Sequence, residues 1–145
     1  MILIDANLLL YAYNASSERH ALARPWLEKT LAGVEQVRMA WVTLLAFIRI
    51  STNSRAFPQP FTADEATAIV SEWFKQPTVM MLDPSERHWE ILEDLLTTTQ
   101  ALGPLVMDAH LAALAIEHGA TLYSTDLDFR RFTGLKLKNP LRTDA

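Results

Sequence analysis

Met1-Ile2-Leu3-Ile4-Asp5-Ala6-Asn7 is the stretch that decides the fold. Four apolar residues are closed by a carboxylate, and a second apolar run, Leu8-Leu9-Leu10, follows at once. A short continuous apolar run bounded by a polar residue reads as a strand buried on both faces. In an open α/β sheet the carboxyl ends of parallel strands form the crevice where ligands bind, so an acid closing such a strand is a candidate metal ligand. Asp5 would serve equally as the N-cap of a helix starting at Ala6.

Two later segments repeat the pattern. Leu105-Val106-Met107-Asp108 puts an acid at the start of a helix, and Thr121-Leu122-Tyr123-Ser124-Thr125-Asp126 puts one at the end of a strand. In a parallel sheet those positions converge on the edge that carries Asp5. Convergent carboxylates repel and raise one another's pKa unless cations neutralise them, so Asp5, Asp108 and Asp126 together make sense as a Mg²⁺ or Mn²⁺ site. Oxygen ligands with retained waters suit Mg²⁺, phosphate is its usual co-ligand, and the implied chemistry is metal-assisted phosphodiester cleavage. Taken singly, Asp108 could only complement a helix dipole. Asp128 is explained without a metal if Thr125 and Asp128 form a capping box before Phe129, and it ranks as a second-tier ligand.

Composition narrows the class. The chain has 145 residues, half of them hydrophobic, which suits one domain over 1–145 and is short for two. A net charge of −4 argues against a constitutive nucleic-acid coat protein but not against an enzyme that meets phosphates through cations. With no cysteine, disulfides and thiolate metal sites are excluded, and the four histidines are scattered without zinc spacing. No apolar run approaches the roughly 18 residues of a membrane span. A cytoplasmic protein is expected, without a leader, since no basic region precedes the first apolar run.

The pattern predicts strands over roughly 1–5, 36–40, 79–82 and 120–124, and helices over roughly 7–13, 17–32, 43–53, 62–75, 83–99 and 105–118. Thr62 and Glu65 form a capping box, Asp83-Pro84-Ser85-Glu86 reads as a second helix start, and Gly119 closes the helix from Leu105. The alternating Leu135-Lys136-Leu137-Lys138-Asn139-Pro140 suits an edge strand. Strands separated by helices make the fold class α/β, with a short, mostly parallel central sheet flanked by helices.

Ile4-Asp5-Ala6-Asn7, Asp108 to Ala115, and Ser124-Thr125-Asp126-Leu127-Asp128-Phe129 before Asn139-Pro140-Leu141 together resemble the PIN-domain ribonucleases, specifically the VapC-type toxins of toxin-antitoxin pairs. The resemblance runs from residue 1 to about residue 141. It implies a PIN-like three-layer sandwich, a Mg²⁺-dependent endoribonuclease acting on RNA, a homodimer, and a cognate VapB-type antitoxin that also binds DNA. Asp5 and Asp108 would be metal ligands, Asp126 a ligand to the same or a second metal, and Asn7 would orient Asp5 or a bound water. The family's Glu-x-x-Arg arrangement is altered here: in Leu44-Leu45-Ala46-Phe47-Ile48-Arg49, Ala46 stands where the acid is expected. Arg49 would still face the crevice, holding an acid or an RNA phosphate. Glu117, nine residues after Asp108, falls on the opposite helix face and does not compensate.

Arg130, Arg131, Lys136, Lys138 and Arg142 concentrate basic charge late in the chain, and the first four are candidate RNA phosphate contacts; a solvated charged face is the alternative. Trp41, Trp73 and Trp89 read as core or interface residues, and Phe57-Pro58-Gln59-Pro60-Phe61 as an exposed aromatic loop at a partner surface. The rival to a nuclease is a catalytically silent PIN-like module that binds RNA or antitoxin without cutting, a reading that rests on Ala46. An aspartyl-phosphate enzyme also places acids at strand ends, but the haloacid-type pattern needs an acid where this chain has Asn7.

Overall fold

Strand β1 (Ile2–Ile4) is buried along its whole length. Side chains alternate across a strand, so Ile2 and Ile4 enter one apolar cluster and Leu3 enters another on the opposite face. A strand buried on both sides occupies the middle of a sandwich, as its unbroken apolar run requires.

The computed structural model describes residues 1–142. After β1 come α1 (Ala6–Tyr13), α2 (His20–Leu31), β2 (Val37–Met39), α3 (Trp41–Ser51), α4 (Ala63–Phe74), β3 (Val79–Met81), α5 (His88–Thr99), α6 (Leu105–His118), β4 (Thr121–Tyr123), a 3₁₀ turn (Leu127–Arg131) and β5 (Lys136–Lys138). Residues 143–145 of the expected 1–145 domain lie outside the described residues. The strands form one sheet in the order β3-β2-β1-β4-β5, and every pair is parallel. The chain winds outward from β1 through β2 to β3, then returns to add β4 and β5 on the other side. Strand order therefore reverses between β1 and β4, and the carboxyl ends of those two strands frame the crevice where such sheets bind ligands.

Each face has its own core. On one, Ile2, Ile4, Val37 and Met39 pack with Leu8 and Leu9 of α1, Leu27 of α2, Leu44 and Phe47 of α3 and Trp73 of α4. Trp73 is anchored at its polar end as well, its Nε1–H donating to Tyr13 Oη at 3.1 Å. On the other, Leu3 and Leu122 pack with Leu95 of α5, the alanines 109, 112, 113 and 115 of α6, and Phe129. That small-residue face lets α6 lie close to the sheet, which brings Asp108 to the sheet edge.

Most expected elements are present, and the departures have local causes. Helix α2 starts at His20 and not near 17, because Asn14 and Ser17 side chains accept the backbone N–H groups of Ser16 and Arg19 and hold the intervening chain in turns. Helix α5 starts at His88 and not at Asp83: the Ser85 N–H that a local cap would use donates instead to Glu117 Oε1 at 2.7 Å. The expected exposed aromatic loop is also corrected, since Phe57 is buried and stacks obliquely with Phe61, which packs on the first core. The capping box of Thr62 and Glu65 forms as read. Of the tryptophans, Trp73 is core, whereas Trp41 and Trp89 are exposed. No helix among the described residues is long and apolar enough to cross a membrane.

Candidate metal centre

Asp5 leaves the end of β1 beside the end of β4, and its backbone N–H donates to Tyr123 O at 3.0 Å. The N-cap reading of this residue holds. One carboxylate oxygen accepts the Ala6 N–H at 2.8 Å, as an N-cap of α1 does, while the other accepts the Ser124 hydroxyl at 2.7 Å. Burial pushes the Asp5 carboxyl up; the bonds from Ser124 and Ala6 oppose this, and the charge of Asp126 adds to it.

Asp108 lies in the first turn of α6, whose N-cap position holds Pro104 and makes no side-chain cap. Its carboxyl is raised to about 6, first by burial and then by Asp126, Asp5 and Asp128, with Arg131 opposing. Asp126 caps the 3₁₀ turn by accepting the Asp128 N–H at 2.9 Å, and its own N–H donates to Ser124 Oγ at 3.0 Å. The expected Thr125 to Asp128 capping box does not form, and Asp128 instead meets Arg131. One oxygen each from Asp108, Asp126 and Asp128 lies within 4.8 Å of the others. Arg131 approaches Asp128 from the side at 3.4 Å.

Asn7 secures this edge. Its Nδ2 donates to Ser124 Oγ at 3.2 Å and to Thr125 Oγ1 at 3.0 Å, while its Oδ1 is buried with no protein partner. Four carboxylates gathered in one crevice, two with raised carboxyl pKa, plus an unpaired amide oxygen, form a donor set of hard oxygens. That set fits a divalent cation of the Mg²⁺ or Mn²⁺ kind and offers nothing to a thiolate-seeking metal.

Other expected site residues fall elsewhere. Arg49 is in the last turn of α3. It is exposed and bonded to no carboxylate among the described residues, which corrects the expectation that it holds an acid of the crevice. Ala46 is half-buried on the same helix and contributes no ligand atom. The basic residues divide: Arg130 and Lys138 line a cleft of about 760 Å³ beside Asp126, Lys136 is not among its walls, and Arg131 turns back to the carbonyl and carboxylate of Asp128.

Sequence reading missed Ser124, Thr125 and Arg19, which join this edge only through the fold. It also missed a polar cluster between α5 and α6. There Glu117, with no side-chain exposure, holds His88 Nδ1 at 2.6 Å, and His88 Nε2 meets His110 Nδ1 at 2.9 Å. As read from the helix period, Glu117 faces away from the acids.

A family model described as "PIN domain" matches residues 2–135. Ribonuclease VapC37 of Mycobacterium tuberculosis is 44% identical over 140 residues, covering 97% of both chains. Ribonuclease VapC33 of the same species is 38% identical over 142 residues, covering 98% of this chain and 99% of the relative. Among solved structures, VapBC2 from Rickettsia felis bound to a promoter DNA fragment aligns with a TM-score of 0.69 at 19% identity, over 96% of this chain and 98% of that one. The M. tuberculosis toxin VapC20, described as cleaving the sarcin-ricin loop, aligns at 0.65 and 20% identity, over 94% and 99%. These structures speak for the fold.

Proposed function

This chain belongs to the PIN-domain family and stands among relatives named VapC ribonucleases, and from that premise we propose that it is the toxin of a toxin-antitoxin pair, a Mg²⁺-dependent endoribonuclease that hydrolyses RNA phosphodiester bonds. One observation carries the reading: carboxylate oxygens from α6 and from the turn after β4 gather within 4.8 Å of one another at the β1/β4 switch point, beside half-buried Asp5.

Asp108, Asp126 and Asp128 would hold the cation, with Asp5 completing the set. A divalent cation bound there offsets the negative charge of the phosphodiester and makes water a competent nucleophile near neutral pH. The residues themselves orient and pre-charge the site. Ser124 fixes one Asp5 oxygen, Asn7 fixes Ser124, and the Asp108 carboxyl, raised to about 6 in the cation-free chain, would give up its proton when a cation binds. In the net reaction water adds to phosphorus, the bond to the leaving ribose oxygen breaks, and a proton ends on that oxygen.

Two structural neighbours are described as VapBC assemblies bound to DNA. They support a VapB-type antitoxin as the partner of this chain, and the family supports a homodimer working in the cytoplasm. The test is Mg²⁺-dependent cleavage of RNA by the parent and by Asp5→Asn and Asp108→Asn. Both substitutions should abolish it, and retained cleavage would overturn the assignment. The alternative, a module that binds without cutting, rests on Ala46 and predicts metal uptake with no new RNA ends.

A further inference from the structure

Arg19 is a basic residue near the acids whose side chain is held in place by neutral groups. It precedes α2, far from the late basic segment, and its exposure would ordinarily mean a mobile side chain. Here one guanidinium nitrogen donates to Tyr11 Oη at 2.8 Å and to Thr125 Oγ1 at 3.2 Å, and the group lies 5.1 Å from the centre of the Tyr11 ring. No carboxylate pairs with it among the described residues, and its Nε and second terminal nitrogen carry no bond. A planar fork held on one edge and open on the other is suited to phosphate oxygens.

Its surroundings have the same character. Arg19 forms one wall of the cleft beside Asp126, and Arg130, Lys138 and Arg142 form others, with Thr125 and Asn139 between. Four cations thus line a cavity that has Asp126, one of the clustered acids, in its wall. An RNA strand has phosphates at every nucleotide, so a strand presenting one phosphate to the acids presents the next to this wall. Thr125, which accepts from Arg19, also accepts from Asn7, and Asn7 donates to Ser124, the hydroxyl on Asp5. A hydrogen-bonded path therefore links the guanidinium to the first carboxylate of the site.

We propose that Arg19, braced by Tyr11 and Thr125 in the cationic cleft beside Asp126, is a substrate-positioning residue that grips the RNA phosphate next to the one being cut. The proposal rests on the ribonuclease reading and adds to it the residue that sets the strand's register against the acids. Arg19 serves binding and alignment and takes no part in moving protons at the cut.

The test uses the full chain with a short, labelled single-stranded RNA in Ca²⁺ buffer, read by fluorescence anisotropy, alongside cleavage of the same RNA in Mg²⁺. Arg19→Met should weaken binding roughly tenfold, the scale of one charge-assisted contact. It should also flatten the dependence of log K on log salt by about 0.7, the share of one single-strand phosphate. In cleavage the loss should fall on KM more than on kcat, and Arg19→Lys should recover part of it. Moving a single neutral methylphosphonate linkage along the RNA should reveal one position where the parent and Arg19→Met bind alike. Equal binding by the two proteins on unmodified RNA, or a penalty that no single linkage removes, would overturn the proposal. If the parent binds RNA but never cuts it, the ribonuclease reading fails while the binding comparison still judges Arg19. If the parent cuts and Arg19→Met binds as the parent does, only the Arg19 assignment fails.

Discussion

Ser124 Oγ donates to Asp5 Oδ2 at 2.7 Å, joining residues 119 positions apart across the carboxyl ends of β1 and β4. The same hydroxyl oxygen accepts from Asn7 Nδ2 and from the Asp126 N–H, so one small side chain organises two of the acids. Ser124 is buried and cannot be replaced there by solvent at no cost.

Ser124→Ala should therefore act through Asp5. The buried carboxyl loses a bond that favours its charged form, so its pKa rises further and its hold on a cation weakens. A Mg²⁺ titration of cleavage should show the half-saturating concentration rising by roughly 10- to 100-fold, the usual range for partners of metal ligands. An unchanged titration would remove Ser124 from the site.

Asp108 gives a pH signature in the cation-free protein. Its carboxyl rises from 3.8 to about 6 on folding, so the folded chain binds this proton more tightly than the unfolded chain. The unfolded state then carries fewer protons through that window, and stability from this group is present at low pH and lost as pH climbs from about 4 to about 6. In EDTA, Asp108→Asn should raise the thermal midpoint of unfolding near neutral pH by a few degrees and leave it little changed below about pH 4. Mg²⁺ should raise the parent's midpoint near neutral pH by more than it raises that of the variant.

Asp128 and Ala46 divide the question of the missing acid. Asp128 sits in the carboxylate cluster, so Asp128→Asn should weaken cation binding measurably by isothermal titration. Ala46→Glu should add little, because the aspartates already supply the oxygens. A large gain in cleavage from Ala46→Glu would instead mean that the fourth acid is wanted on α3.

Glu117 makes the opposite prediction, stability without catalysis. Its fully buried carboxylate accepts from Ser85 N at 2.7 Å and from His88, and Glu117→Leu would leave half-buried His88 without its acceptor. Urea unfolding should show a loss of about 1–3 kcal/mol, the cost of unsatisfied buried polar groups. Cation affinity should stay that of the parent.

Several features could be read directly from neighbouring residues. The capping box of Thr62 and Glu65 is a local arrangement of three backbone steps and forms as read. Gly119 adopts the left-handed conformation, φ 68°, at the end of α6, where a residue without Cβ is favoured. Where local reading failed, a distant group competed. Asp83-Pro84-Ser85-Glu86 has the chemistry of a helix start, yet Glu117 takes the Ser85 N–H and the helix begins at His88. Thr125 has the chemistry of a cap, yet its hydroxyl accepts from Asn7 and Arg19.

By itself the sequence determined the α/β class, the burial of β1 and the three acids at strand and helix ends, because hydrophobic period and the punctuation of an apolar run by a carboxylate are local properties of the chain. Only the tertiary structure decided that Asp128 joins Asp108 and Asp126, that Ser124 holds Asp5, and that Arg19 stands beside the crevice with an open guanidinium edge. Those outcomes depend on which strands become neighbours, and the pairing of β1 with β4 brings together side chains whose separation in sequence carries no signal.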